Sequence, residues 1–362
     1  MSKFSVPVML PRLAKAEEVL PYLQEIDKAQ VYSNGGGLLR KFEARVGKLL
    51  GVDPHTVVAC SSATLGIQGA VSVLGKAKWA LPSFTFSATA LAVRNAGGEI
   101  LWADVNLETF QLDGIPVAHG HATSLHRQDV AVLTVCPFGS PLPFSIYDTA
   151  RVGVIDAAAS LGQALDSPFH VASGWAVVFS LHATKVLGVG EGGLAVFGNI
   201  DAATAFREWA NFGFSGKRES KTLATNAKMS EMAAAYGHAA LDGRVQEAED
   251  WHKAQELARS TLSELGLGNI TLGYPSFNPY CVARFSDAQA LLKAEQRLNE
   301  HGIGTRRWWP VPVHRMPAFA EDKIKLPNSE ALASTLLGLP MYRGLDSPVY
   351  DRIHKIVGDI NS

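Results

Sequence analysis

The chain has 362 residues, of which 47% are hydrophobic and 19% charged, and its 33 basic and 34 acidic residues leave a formal net charge of −1. This composition argues against a disordered chain and against a polyelectrolyte that binds nucleic acid. Its length suggests about two domains. We expect no transmembrane helix and no signal peptide, because the apolar runs are short and Pro7 and Pro11 interrupt the first one. The cysteines, Cys60, Cys136 and Cys281, lie far apart, so we predict reduced thiols in a cytoplasmic protein.

Between residues 56 and 198, short apolar segments alternate with segments of helical character. The predicted strands are 56–61, 79–84, 100–105, 130–138, 152–156, 176–181 and 193–198. Apolar strands joined by crossover helices form largely parallel sheets, which bind their ligands at the carboxyl ends of the strands. The sequence therefore predicts an α/β fold, with a large domain over 1–240 whose mostly parallel sheet is flanked by helices.

The last third of the chain has a different pattern. A long helical pattern from about Ser230 to Leu265 is followed by a predicted strand over 280–286 and a helix over 287–302. A further strand is predicted over 304–314, and a closing helix over 350–360. These elements predict a smaller C-terminal α+β domain over 241–362.

Lys185 is the sharpest candidate for chemistry. It lies five residues after a predicted strand that ends near Ser180, in the glycine-rich segment SLHATKVLGVGEGG. Its neighbours are small and apolar apart from His182, which is unusual for a surface lysine. A lysine held at a strand end in such surroundings can form a Schiff base with an aldehyde cofactor.

The same segment contains Gly188, Gly190 and Gly193 in GxGxxG spacing, which suggests a nicotinamide dinucleotide as an alternative ligand. That motif requires a strand before the glycines and a helix after them, so that the pyrophosphate meets a helix N-terminus. Here a predicted strand follows the glycines, so the dinucleotide interpretation lacks its structural context.

Two further features suit pyridoxal phosphate. Asp156 ends an apolar predicted strand, where an unpaired carboxylate is costly and a protonated pyridine nitrogen would be a suitable partner. The alternative role for Asp156 is a helix N-cap. The segment CSSATLG, residues 60–66, runs from a strand into a helix with small hydroxyl residues, which suits a phosphate site and equally a plain N-cap.

At several places along nearly the whole chain, the sequence resembles the DegT/DnrJ/EryC1/StrS family of pyridoxal phosphate-dependent sugar aminotransferases, which have the fold type I architecture. The motifs that carry the resemblance are SNGGGLLRKFE (33–43), SSATLGIQGA (61–70), LPSFTFSATA (81–90), ADVNLETFQLD (103–113), IDAAASLG (155–162), SLHATKVLGVGEGG (180–193), TNAKMSEMAAAYG (225–237), RRWWPVPVHRMPAF (306–319) and LASTLLGLPMYRGL (332–345).

The resemblance implies roles for individual residues. Lys185 would join the cofactor and move the proton, Asp156 would face the pyridine nitrogen, and Phe86 would stack on the ring. The phosphate would be held by Ser62, Ala63, Thr64 and Ser180. Asn226 would reach the phosphate in the neighbouring subunit, which implies a homodimer with shared sites. His314 would contact the substrate. Apart from the resemblance, His182 is near enough to Lys185 in sequence to line the site, and Arg307 is a candidate contact for a nucleotide diphosphate.

The sequence also departs from the family pattern, because Ala159 stands where the family usually has a glutamine that contacts the cofactor. The leading hypothesis is a transaminase that uses glutamate to aminate a keto-sugar nucleotide, with a 4-keto-6-deoxy sugar favoured. The alternatives are a nucleotide-sugar dehydrogenase and a non-catalytic regulatory protein on the same fold. We predict no metal site and interpret His119, His121 and His126 as part of a polar loop, because no carboxylate or cysteine completes a ligand set.

Overall fold

The computed structural model describes residues 4–112, 130–263, 265, 268–269, 278–319 and 324–361. The helices in these ranges are α1 (Ala16–Ala29), α2 (Gly37–Leu50), α3 (Ala63–Leu74), α4 (Ser87–Asn95), α5 (Leu161–Asp166), α6 (Ile200–Trp209), α7 (Glu231–Asp242), α8 (Arg244–Ser263), α9 (Ala288–Glu300), α10 (Pro327–Thr335) and α11 (Ser347–Asn361). The strands are β1 (Val57–Cys60), β2 (Lys78–Pro82), β3 (Glu99–Ala103), β4 (Val130–Val135), β5 (Gly153–Asp156), β6 (Trp175–Ser180), β7 (Gly193–Phe197), β8 (Gly268–Asn269), β9 (Cys281–Arg284) and β10 (Leu336–Leu339).

The main sheet has seven strands in the order β1-β7-β6-β5-β4-β2-β3. The five strands β3, β2, β4, β5 and β6 run parallel, whereas β7 is antiparallel to both β6 and β1. All seven predicted strands of this region are present at nearly the predicted positions. The α/β fold with a mostly parallel sheet is therefore confirmed.

Alternate residues of the strands face two different apolar layers, as the two-residue period of a strand requires. Val57 of β1 belongs to the layer that contains Phe42 of α2, whereas the next residue, Val58, belongs to the layer that contains Ile67 of α3. Because helices cover both faces, the strands are apolar at successive positions rather than at every second one.

The C-terminal part of the chain contains a second, antiparallel sheet in the order β10-β9-β8. The N-terminal segment joins this region, because Val6 pairs with Ile303 and the amide of Met341 donates to the carbonyl of Val8 at 3.1 Å. The proposed boundary between 1–240 and 241–362 stays a prediction.

Two predicted elements differ from the structure. The helical pattern from Ser230 to Leu265 is divided at Gly243 into α7 and α8, because glycine is a weak helix former. The predicted strand over 304–314 is wrong: its backbone pairs with β10 at one bridge, Arg306 to Gly338, and then leaves the sheet. Pro310 and Pro312 cannot donate hydrogen bonds to a neighbouring strand.

No helix within the described ranges is long and apolar enough to span a membrane. The histidines His119, His121 and His126 lie outside the described residues.

Candidate active site

Lys185 lies in a tight loop that begins where β6 ends. Its amide donates to the carbonyl of His182 at 2.8 Å, and the amide of Val189 donates to the carbonyl of Leu181 at 2.8 Å. The loop directs the amine of Lys185 toward the C-terminal part of the chain, where Nζ lies 2.6 Å from the hydroxyl oxygen of Tyr280. The lysine is therefore held at the carboxyl edge of the sheet, where ligands of α/β proteins bind.

Asp156 is the last residue of β5, and its side chain is buried. One carboxylate oxygen accepts a hydrogen bond from the hydroxyl of Thr89 at 2.6 Å, and the other accepts one from the amide of Ala158 at 3.2 Å. Burial raises the pKa of Asp156, whereas these two hydrogen bonds and the charge of Lys185 act in the opposite direction. The N-cap of α5 is Ser160, so Asp156 does not cap that helix.

A pair of buried threonines orients this carboxylate. Because Thr89 donates its proton to Asp156, the hydroxyl of Thr85, 2.8 Å from that of Thr89, is the donor of the second hydrogen bond. Neither residue was predicted from the sequence to be part of the site. Their spacing of four across the start of α4 was a possible signal, but buried threonines at such spacing occur for many reasons.

The start of α3 has the properties of a phosphate site. Ser62 is its N-cap, and the Oγ atom of Ser62 accepts a hydrogen bond from the amide of Leu65 at 3.2 Å. The amides of Ala63 and Thr64 lie in the first turn, where a helix offers its own amides no acceptor. A Cβ atom added to Gly193 would lie 2.6 Å from the carbonyl carbon of Ser62, so only glycine allows β7 to approach this turn so closely.

The remaining predicted cofactor residues lie around the same edge. Ser180 ends β6, and its Oγ atom accepts a hydrogen bond from the amide of His182 at 3.2 Å. Phe86, at the N-cap of α4, is 61% exposed, so its ring is accessible to a ligand.

These residues fit pyridoxal phosphate. Asp156 is buried and accepts hydrogen bonds from two neutral groups, Thr89 and the amide of Ala158, so a protonated ring nitrogen would be a chemically suitable partner. The open turn at Ser62 offers donors to a phosphate, exposed Phe86 offers a flat apolar surface, and Lys185 offers an amine to an aldehyde.

The predicted substrate residues differ in exposure: His182 and Arg307 are part-exposed, whereas His314 is buried. His182 is part-exposed near Glu191, with its Nε2 atom 3.7 Å from the carboxylate, and its Nδ1 atom contacts Thr184. The side chain of Arg307 is also part-exposed and pairs with Glu295 at 3.2 Å.

His314 is fully buried in this structure, with 0% exposure. Its ring contacts the hydroxyl of Ser83 on one side and the carboxylate of Glu330 on the other, at 3.3 Å. Burial and then the charge of Arg315 lower the pKa of His314. These contacts hold the loop after Pro312 against the end of β2.

Asn226 is exposed and lies on a segment that runs beside the end of β1, an edge strand of the main sheet. The amide of Ser61 donates to the carbonyl of Ala227 at 2.8 Å, which fixes this segment beside the start of α3. Leu223, in the loop just before it, is 98% exposed. Its side chain is therefore available for contact with another chain.

A cavity of about 1170 Å³ lies between α2, the end of α6 and this loop. Its basic lining residues are Arg40, His55, Arg207, Lys217, Arg218 and Lys228. Glu43 is an acidic lining residue, and both of its carboxylate oxygens accept hydrogen bonds from Arg207, at 3.0 and 2.9 Å. The cavity therefore carries an excess of positive charge, although it does not include Lys185 or Asp156.

The three glycines of the GxGxxG spacing do not lead into a helix. Gly193 is the first residue of β7, which pairs with β1 and β6 in the main sheet. A pyrophosphate at these glycines would not meet a helix N-terminus, so nothing in this loop favours a dinucleotide. Within the described ranges, no three metal-ligating side chains come together as a metal site.

Comparisons with known proteins identify the family of this chain. The sequence profile of the DegT/DnrJ/EryC1/StrS aminotransferase family matches residues 14–358. The chain is 25% identical over 370 residues to the dTDP-4-amino-4,6-dideoxy-D-glucose transaminase of Shigella dysenteriae, covering 98% of each chain. It is 28% identical over 281 residues to the dTDP-3-amino-3,4,6-trideoxy-alpha-D-glucose transaminase of Streptomyces venezuelae, covering 74% of this chain and 72% of that one.

A solved structure is also similar. The crystal structure of DesI in the presence of its TDP-sugar product has a TM-score of 0.82 and 29% identity, and the match covers 99% of this chain and 93% of DesI. The profile match spans nearly the whole sequence, and the structural match includes both sheets. The chain therefore belongs to the DegT/DnrJ/EryC1/StrS family and is a pyridoxal phosphate-dependent aminotransferase of fold type I.

Proposed function

We propose that this enzyme transfers an amino group from glutamate to a keto-sugar nucleotide, and that the sugar is a 4-keto-6-deoxy sugar. The observation that carries the proposal is the placement of Lys185 and Asp156 at the carboxyl ends of neighbouring strands, close enough for their charges to interact. The Shigella relative that matches over the whole chain is named for an amino group on carbon 4. The Streptomyces relative is named for one on carbon 3, so the test must include both positions.

Bound pyridoxal phosphate supplies an aldehyde that takes up the amino group and a ring that withdraws electrons from the reacting carbon. The carboxylate of Asp156 would pair with the protonated ring nitrogen, and Thr89 and the amide of Ala158 fix its two oxygens. The amine of Lys185 takes a proton from the reacting carbon and returns it, as a general base and then a general acid. Asp156 is fixed at the end of β5, whereas the amine of Lys185 extends on a flexible side chain from the loop after β6.

The other site residues bind rather than react. Ser62, Ala63, Thr64 and Ser180 are proposed to hold the phosphate, and Phe86 to cover one face of the ring. His182 and Arg307 keep part-exposed polar groups that a sugar nucleotide could reach, whereas His314 would need its loop to move.

We also propose a homodimer in which Asn226 of each chain reaches the partner's cofactor phosphate. Two features support this arrangement. A partner chain would cover the exposed Leu223, and the basic cavity beside Asn226 would attract the diphosphate of a nucleotide.

A cytoplasmic location is part of the proposal. Its support is that Cys60, Cys136 and Cys281 are buried free thiols, as expected in a reducing compartment.

The direct test starts from the purified enzyme loaded with pyridoxamine phosphate. It is mixed with a panel of 3-keto and 4-keto sugar nucleotides, and the products are identified by mass after a second turnover with nitrogen-15 glutamate. We expect a labelled amino sugar from a 4-keto substrate and none from the Lys185→Ala variant. If every keto sugar is returned unchanged while the wild type keeps its cofactor, the proposed substrate class is wrong.

A further inference from the structure

A hydrogen bond joins the amine of Lys185 to a residue next to the C-terminal sheet. Nζ donates to the hydroxyl oxygen of Tyr280 at 2.6 Å, and the same Nζ lies 5.2 Å from the centre of the tyrosine ring. Tyr280 directly precedes β9, whereas Lys185 follows β6 of the main sheet. The contact therefore connects the C-terminal sheet to the reacting atom, across 95 positions of sequence.

Tyr280 is held firmly by its surroundings. Only 6% of its surface is exposed, and its ring packs edge-on against Phe138 and Trp308, with centroids 5.9 and 5.2 Å away. Its amide donates to the side-chain oxygen of the buried Asn278 at 3.0 Å, and the carbonyl of Asn278 accepts from Gln255 at 3.2 Å. The ring and backbone are thus fixed independently of Lys185, so the hydroxyl is a stationary partner for a mobile amine.

The lysine needs such a partner. Its four-carbon stem has several rotatable bonds, and fixing a long side chain in one geometry carries a large loss of conformational entropy. Ala159, which packs against the same apolar cluster as Tyr280, offers no polar side-chain atom to share this role.

We propose that Tyr280 is a positioning residue for Lys185: its hydroxyl holds Nζ at the carboxyl edge of the sheet, ready to attack the cofactor's aldehyde. The inference rests on the proposed role of Lys185. Losing the hydroxyl leaves the ring packing intact and releases Nζ into alternative rotamers. The covalent attachment of the cofactor and the proton transfers by Lys185 then become slower, while noncovalent binding of the cofactor does not change.

The test compares cofactor-free wild type with Tyr280→Phe, which removes a single oxygen atom. Pyridoxal phosphate is added, the attachment is trapped with borohydride at a series of times, and the modified Lys185 peptide is counted by mass spectrometry. The affinity for pyridoxamine phosphate, which cannot attach covalently, is measured in parallel. Tyr350→Phe is the matched control, because Tyr350 is also buried and its hydroxyl donates to the carbonyl of Pro340 at 3.1 Å, within the C-terminal part.

We expect attachment to be about three- to ten-fold slower in Tyr280→Phe, as for the loss of one hydrogen bond, with unchanged affinity for pyridoxamine phosphate and no effect in Tyr350→Phe. The proposal is overturned by normal attachment in Tyr280→Phe, by an equal loss in the control, or by a parallel loss of pyridoxamine phosphate affinity. If wild-type Lys185 itself is never modified, the role assigned to Lys185 is wrong, and the inference about Tyr280 is overturned with it.

Discussion

Replacing Thr89 by valine removes one hydroxyl from the pair of threonines that orients Asp156. In the structure that hydroxyl donates to the carboxylate at 2.6 Å and accepts from Thr85 at 2.8 Å. A hydrogen bond to an ionised group contributes roughly 1.5–3 kcal/mol, and the buried Thr85 hydroxyl also loses its acceptor, so we expect the free energy of unfolding to fall by about 2–4 kcal/mol when Asp156 is ionised.

The size of this effect depends on pH in a definite direction. Burial raises the pKa of Asp156 in the folded protein above that in the unfolded chain, so the cofactor-free protein loses stability as the pH rises through the folded pKa. The Thr89 hydroxyl lowers that pKa by stabilising the charged form, and its removal raises the pKa further. The difference in stability between the wild type and Thr89→Val should therefore grow as the pH rises and then level off.

The assay is urea denaturation of the cofactor-free protein at a series of pH values, with the free energy of unfolding taken from the linear dependence on urea. Thr134→Val in β4 is the matched control, because the buried hydroxyl of Thr134 has no hydrogen-bond partner among the described residues. The control should be unchanged or slightly more stable. A Thr89→Val loss that is the same at every pH, or no larger than that of the control, would refute the reasoning.

Three further results are expected. Asp156→Asn should lower kcat by orders of magnitude, because a neutral amide does not keep the ring nitrogen protonated. The same substitution should stabilise the cofactor-free protein at alkaline pH, because it removes a buried charge. A nearly unchanged kcat would show that the carboxylate has no role in the reaction. Gly193→Ala should weaken the binding of pyridoxamine phosphate at least about ten-fold, as measured by calorimetry, because the new Cβ would lie 2.6 Å from the backbone of Ser62. Gly37→Ala is the control and should bind normally, because no atom lies within 4 Å of its Cβ. Mixing inactive Lys185→Ala with inactive Asn226→Asp should restore activity in heterodimers confirmed by mass, because one of the two sites then has both native residues; inactive heterodimers would contradict the shared site.

The sequence by itself determined the strands of the main sheet and which residues along the chain are candidates for chemistry. Runs of apolar residues are visible without coordinates, because buried parallel strands are apolar on both faces, and every strand predicted between residues 56 and 198 is present. Lys185 and Asp156 stand out for a related reason, since Asp156 is a charged residue at the end of an apolar strand and Lys185 follows another such strand by five residues. The strand predicted over 304–314 was wrong because its prolines, rather than its apolar residues, decide the local backbone.

Only the tertiary structure decided which side chains meet. Thr89 is 67 positions from Asp156 and Tyr280 is 95 positions from Lys185, and no local pattern records a contact between distant segments. The burial of His314 could not be predicted from the sequence either. The local sequence around this histidine is the same whether its side chain faces a cleft or lies between Ser83 and Glu330. Hydrogen bonds of this kind depend on how two sheets and their loops pack together, and that packing is a property of the whole chain.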